Sequence, residues 1–183
     1  SNPPERCYYC KKELFSKLVG LAKQYELNYV ADASNYDDIS DFRPGMRAAS
    51  EFEVRSPLKE IMLTKGEIRT LSKEMNLPTW DKPSQPCLST RFPYGTRITT
   101  ERLSRVERAE EFLSGFGVKQ LRVRVHGNIA RIEVPKEDMR IFLDEDISKE
   151  IVDELTALGY TYITLDLQGY RTGSMNEPLR REG

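Results

Sequence analysis

The chain has 183 residues, of which 38% are hydrophobic and 31% are charged, a balance that is typical of a globular protein with a packed core. Its length suits one large domain or two small ones. The sequence has no run of about 18 apolar residues, which a membrane-spanning helix needs, and it opens without a secretory signal, so we expect a cytoplasmic location. The formal net charge of −1 argues against general binding to nucleic acids.

The first predicted elements are a helix and a strand. Leucine spacing over residues 3–25 predicts a helix, with Asn2 as its cap and prolines in its first turn. Residues 28–33 are interpreted as a short buried strand. The polar loop 34–38 follows the carboxyl end of that strand, which is where α/β proteins bind ligands.

A second helix and a long loop come next. The capping box from Thr64 to Glu67 predicts a helix that continues to about Asn76. Residues 77–99 contain four prolines, which exclude a long helix and predict an ordered loop. Cys87 lies inside this loop.

The elements after residue 98 predict a small α+β domain. Their order is helix, strand, strand, helix and strand, at residues 100–115, 121–125, 129–134, 147–158 and 160–167. The first two strands form a hairpin. We expect helices to cover one face of a three-stranded, mostly antiparallel sheet. The segment from 171 to 183 is polar, and we expect a flexible tail.

Charge is distributed unevenly in the second half of the chain. Residues 88–131 contain nine Lys and Arg against four Asp and Glu, whereas residues 132–158 contain three against nine. A basic block suits a ligand that carries phosphate. Solvated helix faces would give the same composition.

Three cysteines are the strongest chemical signal. An odd number of cysteines without a secretory signal argues against a disulfide framework and for metal or catalytic chemistry. Cys7 and Cys10 are three positions apart, so on a helix both thiols face one side and can reach one ion. The pair fits zinc, iron–sulfur or redox chemistry. Two buried apolar cysteines are the alternative.

Cys87 is the candidate catalytic residue. It shares its loop with Ser89 and Arg91, and a nearby guanidinium favours the reactive thiolate. A structural cysteine is the alternative. Zinc would need His126 as a fourth ligand, whereas three thiolates suit a [4Fe–4S] cluster with one open iron.

Arginines provide candidate anion sites. Arg122, Arg124 and Arg131 on the hairpin strands would gather positive charge on one sheet face, which predicts a phosphate site. Ion pairing with Glu133 is the alternative. Arg43, in the segment Arg-Pro-Gly-Met-Arg, either clamps an anion or belongs to a turn.

Seven segments, in uninterrupted order from about residue 2 to residue 176, together resemble the LarE family of PP-loop ATP pyrophosphatases. They are Asn-Pro-Pro-Glu-Arg-Cys-Tyr-Tyr-Cys-Lys (2–11), Ala-Ser-Asn-Tyr-Asp-Asp (33–38), Asp-Phe-Arg-Pro-Gly-Met-Arg-Ala-Ala (41–49), Val-Arg-Ser-Pro-Leu (54–58), Pro-Cys-Leu-Ser-Thr-Arg-Phe-Pro-Tyr-Gly (86–95), the hairpin (122–134) and Thr-Leu-Asp-Leu-Gln-Gly-Tyr-Arg-Thr-Gly-Ser-Met-Asn (164–176). The resemblance implies an α/β fold. It assigns a truncated PP-loop (adenine nucleotide alpha hydrolase-like) domain to residues 1–86, a cysteine-containing loop to 87–97, and a substrate-binding α+β domain to 98–170.

The resemblance also implies an activity. Members of this family use ATP and Mg²⁺ to adenylate a carboxylate of a nicotinic-acid-derived mononucleotide, and then install sulfur on the route to the nickel-pincer nucleotide. The position of Cys87 supplies or handles the sulfur. In one branch that cysteine is sacrificed, and in another it holds a [4Fe–4S] cluster with two further cysteines. The presence of Cys7 and Cys10 favours the cluster branch.

The same resemblance implies roles for individual residues. Asn35 and Asp38 would lie near the nucleotide. The side chains that would hold substrate phosphate or carboxylate are those of Ser89, Arg91, Arg122 and Arg124. Other cofactor-biosynthesis proteins and a homo-oligomer are the expected protein partners.

One family motif has no match in this sequence. The family begins with a Ser-Gly-Gly-x-Asp-Ser loop whose backbone amides hold pyrophosphate. We therefore expect the chain as given to bind ATP poorly and to be inactive alone. A tRNA-thiolating PP-loop enzyme and a non-catalytic metal-binding module are the alternative interpretations.

Overall fold

The computed structural model describes residues 2–40, 43–171 and 173–176. Contacts divide the chain into two compact units. The N-terminal unit contains residues 3–82, and the C-terminal unit contains Asn2 together with the chain from Pro83 onward. No helix among the described residues is long and apolar enough to cross a bilayer.

The N-terminal unit is helical. Its elements are α1 (Arg6–Gln24), a 3₁₀ helix (Tyr36–Ser40), α2 (Gly45–Glu51), α3 (Pro57–Glu60) and α4 (Lys65–Glu74). Helix α1 packs on α2, because Tyr8 and Phe15 lie seven residues apart on one face of α1 and meet Ala48 and Ala49. The capping box is confirmed, since Thr64 and Glu67 exchange side-chain and backbone hydrogen bonds at the start of α4.

Two predictions for this part of the chain are wrong. Asn2 does not cap α1, because the helix begins at Arg6 and the Asn2 side chain donates to the Phe92 and Pro93 carbonyls. Residues 28–33 do not form a buried strand: the described chain shows one parallel bridge there, between Ala31 and Arg55. A strand needs neighbours that extend its pairing and cover its face, and Tyr29 is 68% exposed.

The C-terminal unit is an α+β structure. Its elements are a 3₁₀ helix (Leu88–Arg91), α5 (Thr100–Ser114), β1 (Arg122–His126), β2 (Ile129–Glu133), a 3₁₀ segment (Lys136–Leu143), α6 (Glu145–Ala157), β3 (Tyr162–Leu165) and a 3₁₀ turn (Ser174–Asn176). The predicted order of helices and strands is confirmed. Asp144 caps α6 by accepting from two backbone amides, and Gly159, at φ +93°, follows the end of the helix.

The sheet is mixed, in the order β1-β2-β3. Strands β1 and β2 form the predicted antiparallel hairpin, with Arg124 opposite Arg131. Strand β3 pairs with β2 in parallel, with Ile129 opposite Tyr162. The expectation of a mostly antiparallel sheet is corrected here, because the connection through α6 returns the chain so that β3 runs in the direction of β2.

The two faces of the sheet differ in chemistry. Val123, Val125 and Ile132 enter an apolar core that includes Val106 of α5 and Leu155 of α6. Alternate residues point to the other face, which carries the charged side chains of Arg122, Arg124, Arg131 and Glu133. The fold therefore places the cations opposite the helices. The α/β class is confirmed, and the PP-loop assignment of the first domain stays a prediction.

Candidate functional site

Cys87 stands at the start of a 3₁₀ helix in the C-terminal unit. Its side chain is exposed, and the thiol donates to Ser89 Oγ at 3.4 Å. Its carbonyl accepts from the Thr90 amide at 2.9 Å and from Thr90 Oγ1 at 2.8 Å. The backbone is thus fixed while the sulfur remains accessible, so the site suits a residue that reacts.

Arg91 joins the thiol segment, residues 87–91, to the rest of the C-terminal unit. Its Nε and Nη2 donate to the two carboxylate oxygens of Glu110 at 2.7 and 2.8 Å, and its Nη1 donates to the Pro86 carbonyl at 3.2 Å. Glu110 also accepts from the Val123 amide at 2.8 Å. The segment is therefore joined to both α5 and β1. Contact of Arg91 with substrate stays a prediction.

Arg122 and Arg124 lie beside this segment. Arg124 donates to Glu133 Oε2 at 2.9 Å and to the Thr90 carbonyl at 3.1 Å, and Arg122 donates to the Ser84 carbonyl. Burial lowers the pKa of both guanidinium groups, and the nearby positive charge of Arg91 lowers both pKa values further. Arg122 and Arg124 nevertheless remain charged at neutral pH. Arg91, Arg122 and Arg124 thus all donate to backbone carbonyls of the segment 84–90, which contains Cys87.

Glu133 lies at the centre of the charged sheet face and is fully buried. It accepts from Arg124, from Arg131 at 3.0 Å and from Ser174 Oγ at 2.8 Å. The ion pairing that was the alternative is therefore present for Arg124 and Arg131. Ser174 was assigned to a polar tail, yet it is buried. Thr172 and residues 177–183 of that tail lie outside the described residues.

Sequence reasoning missed Glu110 and Ser174. Glu110 had a usable signal, because it lies four residues after the buried Val106 and three before the buried Leu113 and so falls near the core face of α5. A carboxylate at such a position needs a cationic partner. Ser174 had no comparable signal, since its partner is distant in sequence.

In the N-terminal unit the structure brings together Asn35, Asp38 and Arg43. Asp38 is buried, accepts from the Asn35 amide at 3.0 Å and pairs with Arg43 Nη2 at 2.7 Å. Asn35 Oδ1 accepts from the Asp37 amide. The loop is thus an ordered set of polar groups, and its contact with a nucleotide stays a prediction.

Asp32 is a second carboxylate in this region that sequence reasoning missed. It accepts from the Ser34 amide at 3.1 Å, from Ser56 Oγ at 2.8 Å and from Lys11 Nζ at 3.3 Å. Burial raises the pKa of Asp32, but the hydrogen bonds from Ser56 and Ser34 and the charge of Lys11 outweigh it, so its pKa lies below the ordinary value. Asp32 stays ionised and joins α1 to two loops.

Cys7 and Cys10 lie near the start of α1, and both are exposed. Tyr8 between them is buried, and its hydroxyl donates to Glu51 at 2.9 Å. The Arg47 guanidinium lies 3.7 Å from the centre of the Tyr8 ring. The helix therefore turns both thiols outward on one face. In neither unit do the described residues form a group of three or more His, Cys, Asp or Glu side chains that could hold a metal. The donor set of the predicted cluster is divided between the units, and that cluster stays a prediction.

Comparison with known proteins decides the family. No family model matches the chain. The chain is 48% identical over 181 residues to an uncharacterized protein of Synechocystis, an alignment that covers 99% of the chain and 68% of the relative. It is 38% identical over 181 residues to the pyridinium-3,5-bisthiocarboxylic acid mononucleotide synthase of Lactiplantibacillus plantarum, covering 99% of the chain and 65% of that enzyme. The chain belongs to the LarE family.

A further relative is an uncharacterized protein of Methanocaldococcus jannaschii, which is 36% identical over 171 residues, covering 93% of the chain and 66% of the relative. The chain thus spans about two thirds of the length of the curated relatives that it matches. The Lactiplantibacillus relative is named as a synthase, and the product in its name is a thiocarboxylic acid of a pyridinium mononucleotide.

Proposed function

We propose that the protein is an ATP-dependent sulfur transferase that adenylates and thiolates a carboxylate of a pyridinium mononucleotide during synthesis of the nickel-pincer nucleotide. The observation that carries this proposal is the exposed Cys87 thiol, held at the start of a short helix whose last residue is the buried Arg91. Membership in the LarE family supports the substrate class.

The residues of the N-terminal unit are proposed to hold the nucleotide. Asn35, Asp38 and Arg43 form one ordered group, in which the Arg43 guanidinium is half exposed and carries positive charge at the surface. A phosphate is attracted to such a charge. With Mg²⁺, attack of the substrate carboxylate on the α-phosphorus of ATP would release pyrophosphate and give an acyl adenylate, whose leaving group is AMP.

The residues of the C-terminal unit are proposed to handle sulfur and substrate. Attack of sulfur on the acyl carbon forms the carbon–sulfur bond and releases AMP. Arg122 and Arg124 would stabilise the negative charge of substrate phosphate or carboxylate, and the Ser89 hydroxyl, next to the thiol, can donate a hydrogen bond. Glu110 and Glu133 hold the cations Arg91 and Arg124 in place.

Cys7, Cys10 and Cys87 are proposed to hold a [4Fe–4S] cluster. Their chemistry fits, because all three are exposed free thiols, and thiolates are the usual ligands of such clusters. Such a cluster would supply an exchangeable sulfide at its open iron. Cys7, Cys10 and Cys87 would provide the thiolates, and Tyr8 holds the helix turn that carries the pair on α1.

Replacement of Cys87 tests the sulfur-handling role. In the full-length protein, Cys87→Ala is expected to abolish sulfur transfer to the mononucleotide while the thermal midpoint stays within about 2 °C of the wild type, because the side chain is exposed. An exposed position of similar size in the same unit, Ser114→Ala, is the control and is expected to keep activity. Retained transfer by Cys87→Ala contradicts the proposal.

Metal analysis and intact-mass measurement separate the two sulfur routes. After anaerobic purification, iron and acid-labile sulfide that are lost in Cys7→Ser support the cluster route. Stoichiometric zinc at these cysteines contradicts it. Loss of one H₂S from Cys87 after turnover, without iron, shows instead that the cysteine gives up its own sulfur.

A further inference from the structure

Asn2 clamps the turn that comes after the thiol segment. Its side chain is completely buried, and its Nδ2 donates to the Phe92 carbonyl at 3.3 Å and to the Pro93 carbonyl at 2.8 Å. Its own carbonyl accepts from the Gly95 amide at 2.8 Å. Asn2 therefore holds the turn both through its side-chain amide, which donates, and through its backbone carbonyl, which accepts. All of these residues lie in the C-terminal unit.

The clamped turn is continuous with the helix that begins at Cys87. The Phe92 amide donates to the Ser89 carbonyl and ends that helix, and the Phe92 side chain is 1% exposed. The turn then closes with the Thr96 amide donating to the Pro93 carbonyl, with Gly95 at φ +81°. A displacement of Phe92 would thus be transmitted to Ser89, whose hydroxyl accepts from the Cys87 thiol.

Loss of the Asn2 side chain would leave the buried Phe92 carbonyl without that donor, whereas the Pro93 carbonyl would keep the Thr96 amide. A buried carbonyl without a hydrogen bond is costly, so such a segment moves until it finds a partner or water. An aspartate has the shape of asparagine but would present an oxygen to two carbonyl oxygens. The chemistry of the clamp therefore requires an amide or another donor.

We propose that Asn2 is a positioning residue for Cys87. It fixes the end of the segment 87–95, while the Arg91–Glu110 pair fixes its middle. The consequence for sulfur transfer rests on the role proposed for Cys87, whereas the effect on the conformation of the segment does not.

The test compares Asn2→Ala, Asn2→Asp and Asn2→Ser with the wild type in the full-length protein. Hydrogen exchange and the peptide-resolved pH–rate profile of Cys87 alkylation are measured for each. Asn2→Ala and Asn2→Asp are expected to exchange about tenfold faster in peptides covering 87–96 and to shift the alkylation profile. Asn2→Ser keeps one donor and is expected to restore part of the protection. Asn128→Ala, at an exposed hairpin turn of the same unit, is the matched control and is expected to change neither.

Sulfur-transfer kinetics provide the functional arm. We expect kcat of Asn2→Ala to fall about tenfold with a smaller change in the mononucleotide KM, because the clamp acts on the reacting segment. Unchanged exchange and alkylation in both Asn2→Ala and Asn2→Asp overturn the proposal. Faster exchange throughout the unit, with an unshifted alkylation profile, overturns it in favour of a purely structural role. If the wild type transfers no sulfur, the proposed function fails, and exchange and alkylation still decide the role of Asn2.

Discussion

Glu110 joins the thiol segment to the sheet through a single carboxylate. It accepts two hydrogen bonds from Arg91 and one from the backbone of Val123, and the Arg91 side chain is almost fully buried. A buried guanidinium that loses its carboxylate keeps its charge and its desolvation cost. Removing one member of the pair therefore costs more free energy than the attraction between the two members contributes.

Replacing Glu110 by Gln is expected to lower the free energy of unfolding by about 3 kcal/mol, because the change leaves the Arg91 charge buried without a counter-ion. Urea denaturation followed by circular dichroism measures the change. Asp153→Asn is the control, since it breaks an exposed pair with Lys149, and it should cost less than about 0.5 kcal/mol. A Glu110→Gln protein as stable as the control contradicts the stabilising role of Glu110.

Glu60 is expected to make the stability of the N-terminal unit sensitive to acid. Its hydrogen bonds with the Arg55 side chain and the Ser56 amide lower its pKa from 4.5 to about 2. A carboxyl with a lowered folded-state pKa contributes stability above its unfolded pKa and loses that contribution as the pH falls. The wild type should therefore be more stable than Glu60→Gln at neutral pH, and the difference should disappear between pH 4.5 and about 2. Urea midpoints across that range measure it, and a gap that does not depend on pH would refute it.

The local structure around the predicted site residues could be predicted from sequence where it depends on neighbouring residues, while their roles stay predictions. The loop that holds Asn35 and Asp38 and the helix that carries Cys7 and Cys10 are both indicated by spacing and turn composition. Asn2 was placed correctly near a helix start but given the wrong partner, because its hydrogen bonds reach residues about ninety positions away. No local pattern encodes such a contact.

At the scale of elements, helix α6 begins at a strong cap. Asp144 accepts from the amides of Asp146 and Ile147, so Asp144→Ala should destabilise the protein by about 1 kcal/mol. Thermal unfolding measures this, and Glu150→Ala on the exposed face of the same helix is the control. A midpoint for Asp144→Ala equal to that of the control would show that the cap contributes nothing.

The elements differ in how far sequence could predict them. The amphipathic helices α4 and α5 carry their own caps and apolar stripes, so local signals suffice. Strand β3 was located, but its direction depends on the path through α6. The segment 28–33 has the composition of a strand and yet forms one bridge, because strand formation depends on partners that composition does not reveal.

At the scale of the whole molecule, the two units have cores of very different size. The apolar cluster of the C-terminal unit extends from Phe92 to Tyr160 and joins two helices to the sheet. In the described part of the N-terminal unit, the cluster of buried residues consists of Tyr8, Phe15, Ala48 and Ala49. Since buried apolar contacts set the cost of local opening, the resistance of the two units to opening should differ as well.

In native-state hydrogen exchange, the amides of β1 and β2 should therefore exchange most slowly, and those of α1 should exchange at least tenfold faster. Leu155→Ala tests the origin of the difference. Leu155 is fully buried in the larger cluster, and the cavity should cost about 3 kcal/mol. Protection should then fall in β1 and β2 while exchange in α1 stays at its wild-type rate. Protection of α1 equal to that of β1, or an equal loss in both after Leu155→Ala, would mean that the units open as one and that core size does not govern their stability.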